Sequence, residues 1–293
     1  MGDEHLNPVR MLSLFSATVL LVTGFFVVAA DDASLSVVAR DIGYGADDEN
    51  QALDIYYRTG SAKLPVVVYV HGGGWAFGDK DDVHHKPQCF ADRDVAFISM
   101  NYRLRWDHEI YDQAEDIVLV TDWIHQNADT YNLDSSRIVL MGHAAGAHLV
   151  SLVATNESFM KADHCELSDI VAVVAIDTGS CDIGRLMMEL GSFIERRQHR
   201  LVFGNDQQVW EEVSPITHVE SNKDIPSFAL LYVAEDEEST LQAKGFAKVL
   251  AGAGVETIMI TGNEKTSDSI DEELGTAKDS TTQALMTFLR AKI

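Results

Sequence analysis

Residues 142–146 read Gly-His-Ala-Ala-Gly and follow the apolar run of residues 137–141 without a break. This run, apolar except for Arg137, is almost unbroken, which is typical of a strand that is buried on both faces of a parallel sheet. After the stretch, apolar side chains of residues 145–153 recur at helical spacing. Strand, tight turn and helix in this order form the context of the Gly-x-Ser-x-Gly motif, in which the serine is a nucleophile. The stretch therefore predicts that turn, with Ala144 in the place of the serine.

Ala144 changes the chemistry that this turn can perform. A methyl group has no lone pair to attack a carbonyl carbon and no proton for a base to remove. The framing glycines, Gly142 and Gly146, still predict the turn itself. The motif thus indicates a hydrolase scaffold and argues against catalysis through a serine.

Short β-rich runs alternate with amphipathic helices along most of the chain. The helix after residue 110, for example, carries apolar residues at helical spacing with acidic residues between them. Repeated alternation of this kind predicts an α/β fold with a mainly parallel, twisted sheet and helices on both faces. The predicted strands span residues 35–42, 53–57, 65–70, 95–100, 137–141, 170–176, 228–233 and 257–260, and the predicted helices lie near residues 110–124, 145–153, 240–251 and 281–291.

The length of the chain fits one large domain after a short leader. It has 293 residues, of which 46% are hydrophobic, enough to fill a single α/β core. The five prolines are scattered, and neither a Gly/Ser-rich linker nor an internal repeat interrupts the chain. We therefore predict a leader, a signal peptide or signal anchor, at residues 1–30 and one α/β domain at residues 31–293.

The leader contains an uncharged run, residues 11–30, which ends in Val-Ala-Ala. Small residues at this place are typical of a signal-peptidase cleavage site, so the run favours a cleaved signal peptide and a secreted or periplasmic protein. The acidic residues Asp3 and Glu4 are unusual before such a run. The alternative is an uncleaved signal anchor, because twenty apolar residues are also long enough to cross a bilayer.

Charge and cysteine content narrow the classes of partner. The formal net charge of −24 repels phosphate backbones, which excludes nucleic acid as a partner. Cys89, Cys165 and Cys181 allow at most one disulfide, with Cys165 and Cys181 as one possible pair. His84, His85 and Cys89 have no second matched pair of ligands, so we expect a polar surface loop there and no metal site. No motif indicates a cofactor.

Four motifs in sequence order resemble the α/β-hydrolase fold. The resemblance is to small carboxylesterases with an HGGG box and to bacterial feruloyl-esterase-like and hormone-sensitive-lipase-like esterases, and it covers about residues 35–293. The motifs are His-Gly-Gly-Gly-Trp at residues 71–75, Asn-Tyr-Arg-Leu at residues 101–104, the segment of residues 134–149 around Ala144, and Ser-Pro-Ile-Thr at residues 214–217.

The resemblance implies an oxyanion hole, a set of backbone N–H groups that face the oxygen which becomes negative during ester hydrolysis. By position, Gly73, Gly74 and Ala145 would supply these donors, and none of them depends on the missing serine. The same comparison implies a pocket around them with side chains from the neighbouring motifs. Its predicted members are His71, Gly72, Trp75 and His143.

The resemblance also implies a catalytic histidine after the last strand, and the sequence has none there. His218 is the last of eleven histidines and precedes that region. Lys265 lies near the expected place, but we interpret it as a solvated surface lysine. A catalytic acid is possible at Glu235 or Asp236, although a run of four carboxylates at residues 235–238 is more typical of a solvated loop.

Two of the three catalytic residues, the serine and the histidine, are absent. This predicts a pseudoenzyme and argues against a laboratory variant in which the serine alone was replaced to trap a substrate. The leading hypothesis is an exported α/β-hydrolase homologue without esterase chemistry, whose pocket binds a small ester or carboxylate. A second hypothesis is an active ester hydrolase that uses another nucleophile, or a water activated near Glu235 or Asp236. A third is a surface interaction protein, which would need a large exposed apolar patch away from the pocket.

Overall fold

A computed structural model describes residues 36–46, 50–58, 60, 62–160, 165–190 and 192–293. Contacts divide the chain into Met1–Ala33 and Ser34–Ile293, and all described residues belong to the second unit. The predicted leader at residues 1–30 lies outside them. Within the described ranges, no helix combines the length and the apolar composition needed to cross a membrane.

Eight strands of the described chain form one sheet in the order β1-β2-β4-β3-β5-β6-β7-β8. β2 is antiparallel to β1 and β4, and every other pair is parallel. The predicted fold class, an α/β fold with a mainly parallel sheet, is therefore confirmed. The strands are β1 (Ser36–Gly43), β2 (Ala52–Tyr57), β3 (Leu64–Val70), β4 (Ala96–Met100), β5 (Leu133–His143), β6 (Ile170–Ile176), β7 (Ser227–Val233) and β8 (Thr257–Gly262).

Helices connect the parallel strands and cover both faces of the sheet, as crossover connections require. Leu186–Leu190 adds a turn of π-helix, and Leu167–Asp169 and Pro215–His218 are short 3-10 turns. In the described ranges the α-helices are α1 (Lys86–Ala91), α2 (Ile110–Asn127), α3 (Ala145–Thr155), α4 (Ile183–Arg185), α5 (Phe193–Phe203), α6 (Gln207–Glu212), α7 (Glu237–Gly252), α8 (Ser267–Glu272) and α9 (Ser280–Leu289).

β3 shows how the strands divide the core, because all seven of its residues are buried. Val66 and Val68 pack in the larger hydrophobic cluster with residues of α2 and α3. Val67 and Tyr69 point to the opposite face and pack in a second cluster with residues of α1, α8 and α9. Successive side chains of a strand alternate between faces, so one apolar run fills both layers.

Two sequence interpretations are corrected in the fold. The predicted surface loop at residues 84–89 is in part α1, and Cys89 on that helix is buried. Cys181 is a buried thiol that donates to Thr178 Oγ1 at 3.7 Å, so the possible bridge between Cys165 and Cys181 is not formed. Burial raises the pKa of the Cys181 thiol to about 12, which keeps it protonated and unreactive.

Candidate functional site

Ala144 lies on the sharp turn between β5 and α3. Its backbone has φ 47° and ψ −109°, outside the regions that residues with a Cβ usually adopt. Hydrogen bonds hold the turn, since the Ala144 N–H donates to Ile176 O at 2.9 Å and Ala144 O accepts from His148 N at 3.1 Å. The chain thus builds the strained turn of a nucleophile elbow and places a methyl group on it.

The two framing glycines are required by close packing. A Cβ on Gly142 would lie 2.4 Å from the Gly146 backbone, and one on Gly146 would lie 2.1 Å from Val70 O. Real Cβ atoms do not approach backbone so closely. The sequence therefore keeps both glycines because α3 crosses β3 and β5 at contact distance.

The loop after β3 carries three successive residues with positive φ: Gly73 at 111°, Gly74 at 61° and Trp75 at 63°. A Cβ on Gly73 would lie 2.1 Å from Phe77 O, so this position also requires glycine. Among the described residues, the N–H groups of Gly73, Gly74 and Ala145 donate to no backbone carbonyl. These three predicted donors line the same cavity, next to Ala144.

The cavity beside Ala144 has a volume of about 480 Å³, within the range of small-molecule sites. Trp75 forms part of its wall, and its Nε1–H donates to His148 Nδ1 at 3.2 Å. Phe77 and Trp106 also line it, with ring centroids 6.1 Å apart in an edge-to-face arrangement. The cavity is therefore walled by aromatic rings on one side and floored by the elbow.

The other predicted pocket residues lie elsewhere. His71, Gly72 and His143 line a separate, more polar cavity of about 300 Å³. The His71 ring stacks on Tyr102 with centroids 4.4 Å apart, and its Nδ1 donates to Gly72 O at 2.7 Å. Burial lowers the pKa of His71. His71 therefore supports the glycine loop from inside the protein and does not face the cavity beside Ala144.

The two histidines that flank the elbow, His143 and His148, are both held by hydrogen bonds. His143 Nε2 donates to Ser267 O at 2.9 Å, which docks the start of α8 against the elbow. His148 accepts from Trp75 through Nδ1 and donates to Val213 O through Nε2 at 2.8 Å. Burial lowers the pKa of His148 to about 4. Both nitrogens of His148 are engaged, so it has no free nitrogen for a catalytic proton.

Lys265 occupies the loop after β8, where the resemblance implied a catalytic histidine. Its side chain is only 7% exposed and binds Glu273 at 2.6 Å and Asp279 at 2.9 Å. Burial opposes the charge, but the hydrogen bonds to both carboxylates outweigh it and raise the pKa of Lys265. The interpretation as a solvated lysine is therefore wrong. Lys265 is a buried ion-pair member that stays protonated.

The two candidate acids have structural partners. Glu235 accepts from the Glu264 N–H at 3.1 Å and does not line the cavity beside Ala144. Asp236 lines it, and it also caps α7 by accepting from the Ser239 N–H at 2.9 Å. The predicted solvated loop at residues 235–238 is correct for Glu235 and Asp236, which are exposed, and wrong for the two residues that follow, since α7 begins at Glu237. Carboxylates at a helix N-terminus are stabilised by the helix dipole, which explains the acidic run.

Sequence reasoning missed Asp177 and Ser180, which also line the cavity. Asp177 has φ 52° and accepts from Ser239 Oγ at 2.6 Å. A signal was present in the topology: β6 pairs with β5 through Ile176 and His143, so the residues that follow these strands are neighbours. The carboxyl ends of adjacent parallel strands are where sites form in open α/β sheets.

His199 and its neighbours on α5 complete the cavity wall. The His199 ring packs on the edge of Trp75 and stacks on Phe203, with centroids 5.8 and 6.0 Å away. His218, in contrast, donates to Glu212 O at 2.7 Å, away from the lining residues. In the described part of the chain, no three His, Cys, Asp or Glu side chains converge as metal ligands would.

The chain is similar in sequence to a known protein family and to ester hydrolases. The BD-FAE family model matches residues 53–247. The chain is 25% identical over 296 residues to the isoprenylcysteine alpha-carbonyl methylesterase ICME of Arabidopsis thaliana, covering 97% of this chain and 69% of that protein. It is 27% identical to a Mycobacterium tuberculosis carboxylic ester hydrolase, LipM, over 72% of this chain and 51% of that protein.

Solved esterases share the fold. Esterase B of Lactobacillus rhamnosis superposes with a TM-score of 0.71 at 21% identity, over 88% of this chain and 84% of that one. Esterase 2 of Thermogutta terrifontis, phosphonylated by sarin, superposes with a TM-score of 0.70 at 20% identity, over 88% and 94% of the two chains.

Proposed function

Because the chain belongs to the BD-FAE family of α/β-hydrolase esterases, we propose that it is a pseudoenzyme that binds a small ester or carboxylate without hydrolysing it. The observation that carries this proposal is Ala144 on an intact elbow. The turn keeps φ 47° and ψ −109°, a conformation whose cost in ordinary proteins is about 1–3 kcal/mol, with no nucleophile to benefit from it.

A second absence supports the loss of hydrolysis. The sequence has no histidine after His218, and the loop that follows β8 holds Lys265 in two ion pairs. A serine nucleophile needs a base to take its proton, so restoring one group alone would not restore the chemistry. Both the attacking oxygen and the proton acceptor are missing from their usual places.

Binding is supported by the donors that remain. Gly73, Gly74 and Ala145 present backbone N–H groups at the edge of one cavity, and such groups polarise a carbonyl oxygen whether or not a nucleophile attacks it. The proposed ligand places its carbonyl oxygen on these donors. Its hydrocarbon part lies against the aromatic wall formed by Trp75, Phe77 and Trp106.

The exposed apolar side chains favour a ligand site over a separate protein-binding face. Phe77 and Trp106 are 65% and 66% exposed, and Leu201 is 67% exposed. All three line the cavity beside Ala144. An interaction surface away from the pocket would need its own apolar patch, whereas these side chains surround the pocket.

Hydrolysis by an alternative route has less support. Glu235 accepts a hydrogen bond from the Glu264 N–H and Asp236 accepts one from the Ser239 N–H, so each carboxylate already has a structural partner. Export stays a prediction that rests on residues 11–30, with an uncleaved anchor as the alternative. Cleavage after Ala30 would leave a chain that begins at Asp31, which N-terminal sequencing reads directly.

A titration with ethyl butyrate tests the proposed function, with tryptophan fluorescence as the readout because Trp75 and Trp106 line the cavity. We expect a saturable change in fluorescence and recovery of the intact ester. Gly73→Ala should abolish binding, since a Cβ there meets Phe77 O at 2.1 Å and rearranges the loop. Gly252→Ala is the matched control, because its Cβ meets nothing within 4 Å.

Circular dichroism of both variants separates loss of binding from loss of folding. The proposal is contradicted if the unmodified protein releases butyrate at ordinary enzyme rates, about 1–10³ s⁻¹, and Gly73→Ala removes that activity. It is equally contradicted if binding is unchanged in Gly73→Ala, because the N–H donors would then have no part in it.

A further inference from the structure

The charges that line the cavity beside Ala144 all have one sign. Asp177, Asp236 and Glu238 line it, and no lysine or arginine of the described residues does. Arg105 lies near the cavity, since its Nε donates to the carbonyl oxygen of Val202, a lining residue. Its guanidinium also forms an ion pair with Glu109 at 3.7 Å. A ligand inside the cavity therefore meets a negative field, which the net charge of −24 reinforces.

Two buried polar groups at this cavity lack protein partners. Ser180 is 6% exposed, and among the described residues its hydroxyl makes no hydrogen bond. Asp177 is 8% exposed and uses only Oδ1, which accepts from Ser239 at 2.6 Å. Both atoms are accessible at the cavity, so a ligand there can pair with the Ser180 hydroxyl and with the second carboxylate oxygen of Asp177.

Aromatic rings provide the remaining surface. Trp75 is 6% exposed and packs edge-on to His199 and Phe203, while Phe77 and Trp106 are open to solvent at the same cavity. The faces of such rings attract cations within about 6 Å, and tryptophan does so most strongly. Carboxylates beside aromatic faces form the usual setting for an organic ammonium group.

The cation expected here is organic. In the described residues, no three carboxylates, histidines or cysteines lie close enough to share a metal ion. Asp177 and Asp236 both bond to Ser239, and Glu238 is its chain neighbour, so the three carboxylates lie on one side of a cavity whose other lining is aromatic and apolar. This arrangement suits an ammonium group with attached carbon.

We propose that the cavity selects a ligand with a protonated amine, whose ammonium group lies against Asp177 and Glu238 and donates to the free oxygen of Asp177, while Ser180 pairs with a neighbouring polar atom. This inference deepens the proposed function and rests on it for the carbonyl end of the ligand. It narrows the ligand class to amine-bearing esters or amides and excludes free carboxylates, which the three acidic side chains repel.

A charge series on the unmodified protein tests this inference. Hexylammonium, 1-hexanol and hexanoate have the same chain length and differ mainly in charge. Titration calorimetry and tryptophan fluorescence should show hexylammonium binding about tenfold more tightly than 1-hexanol, with no binding of hexanoate at millimolar concentration. High salt should weaken only the binding of hexylammonium.

Two adjacent variants provide the matched control. Glu238→Gln removes a carboxylate that lines the cavity, and Glu237→Gln removes one from the same helix turn that does not line it. We expect Glu238→Gln to lower the affinity for hexylammonium about fivefold to tenfold and to leave that for 1-hexanol unchanged. Glu237→Gln should change neither. Asp177→Asn keeps an acceptor for Ser239 and should act like Glu238→Gln.

Equal affinity for all three probes, tighter binding of hexanoate, or no binding of hexylammonium at millimolar concentration would overturn the inference. So would an equal effect of Glu237→Gln and Glu238→Gln, because general charge would then explain the preference. None of these probes contains a bond that the protein could hydrolyse. Ester turnover would therefore contradict the proposed function, but it would not change the result of the charge series.

Discussion

Ala144 has the backbone conformation that presents a nucleophile to the substrate in hydrolases with this turn, but here it presents a methyl group. Its φ of 47° with ψ of −109° brings the residue at the tip of the turn to the cavity. The surrounding structure enforces it through the Ala144 N–H bond to Ile176 and through the close approach of Gly142 and Gly146. The elbow is therefore a property of the scaffold and not of the nucleophile.

We predict that Ala144→Gly stabilises the protein by about 1 kcal/mol. Removing the Cβ relieves strain of about 1–3 kcal/mol, and the added freedom of glycine in the unfolded chain offsets about 0.5–1 kcal/mol of that gain. Urea unfolding followed by circular dichroism measures the difference. Ala147→Gly is the control, because Ala147 lies inside α3 and is fully buried. Removing its methyl group should lower the free energy of unfolding by about 1 kcal/mol or more. A similar loss in both variants would show that Ala144 is not strained.

Residues near the elbow differ in how far the sequence alone could place them. The motif around Ala144 fixed the turn because strand, glycine spacing and helix agree locally. Asp177 and Ser180 could not be placed, since their role depends on the pairing of β6 with β5, which is a long-range property. Lys265 was misread for the same reason: its partners Glu273 and Asp279 come from segments that follow it.

At the scale of elements, α3 connects the elbow to the aromatic wall through His148. This side chain is fully buried, and both ring nitrogens bond to groups outside α3, Trp75 Nε1 and Val213 O. Protonation of His148 would place a charge in the core and break the bond that Trp75 donates. Burial accordingly lowers the pKa of His148 to about 4 from its ordinary 6.5.

This shift predicts a loss of stability at mildly acidic pH. Between pH 6.5 and about 4, the unfolded chain binds a proton at His148 that the folded protein excludes, so the free energy of unfolding falls as the pH falls. The contribution is on the order of 3 kcal/mol over the whole window and is fully present above pH 6.5. His71, whose pKa burial also lowers, acts with the same sign.

His148→Gln isolates the contribution of His148, because glutamine keeps a donor and an acceptor but does not titrate. Urea unfolding at a series of pH values from neutral to about 4.5 should show a shallower pH dependence in this variant than in the unmodified protein. Asp279 does not disturb the comparison, because both proteins contain it and the pH dependence caused by its lowered pKa of about 2 is common to them. Identical slopes would show that His148 does not titrate as proposed.

Elements with a strong periodic pattern were predicted well, and short ones were not. Both ends of β6 were predicted correctly. β5 begins four residues before the predicted start, because most of these first residues are only partly buried and polar and so show no apolar pattern. Helices α4, α5 and α6 were missed. α4 and α6 are too short, at three and six residues, to show a helical period. α5 has eleven residues but is largely polar, and its His199 packs against Trp75, a long-range contact that the sequence does not show.

At the scale of the whole molecule, the sheet and its helices have the fold of the solved esterases, while the elbow carries Ala144 and no histidine follows His218 in the sequence. The order β1-β2-β4-β3-β5-β6-β7-β8 brings the ends of β3, β5, β6 and β7 together at one edge. That edge holds the glycine loop, the elbow, Asp177 and Asp236, which all line one cavity. The fold class was readable from the sequence because alternation and motif order are distributed along the chain. The acidic, aromatic character of the cavity was not, since its walls come from distant segments.

The geometry also indicates at which position a histidine could be introduced as a catalytic base. Ser267 O accepts a hydrogen bond from His143, the residue before Ala144, so the start of α8 lies against the elbow. Ser267 and Asp236 line one cleft, which puts a side chain at position 267 on the same side of the molecule as the candidate acid. A histidine at position 267 would therefore have an elbow on one side and a carboxylate on the other.

The initial rate of p-nitrophenyl acetate hydrolysis tests the central claim most directly, measured for the unmodified protein, Ala144→Ser, and Ala144→Ser combined with Ser267→His. The account predicts no saturable turnover by the unmodified protein, little change with the serine alone, and a rise of about 10² to 10⁴ in rate when serine and histidine are both present. Saturable turnover by the unmodified protein at about 1–10³ s⁻¹, with no gain in the double variant, would contradict it.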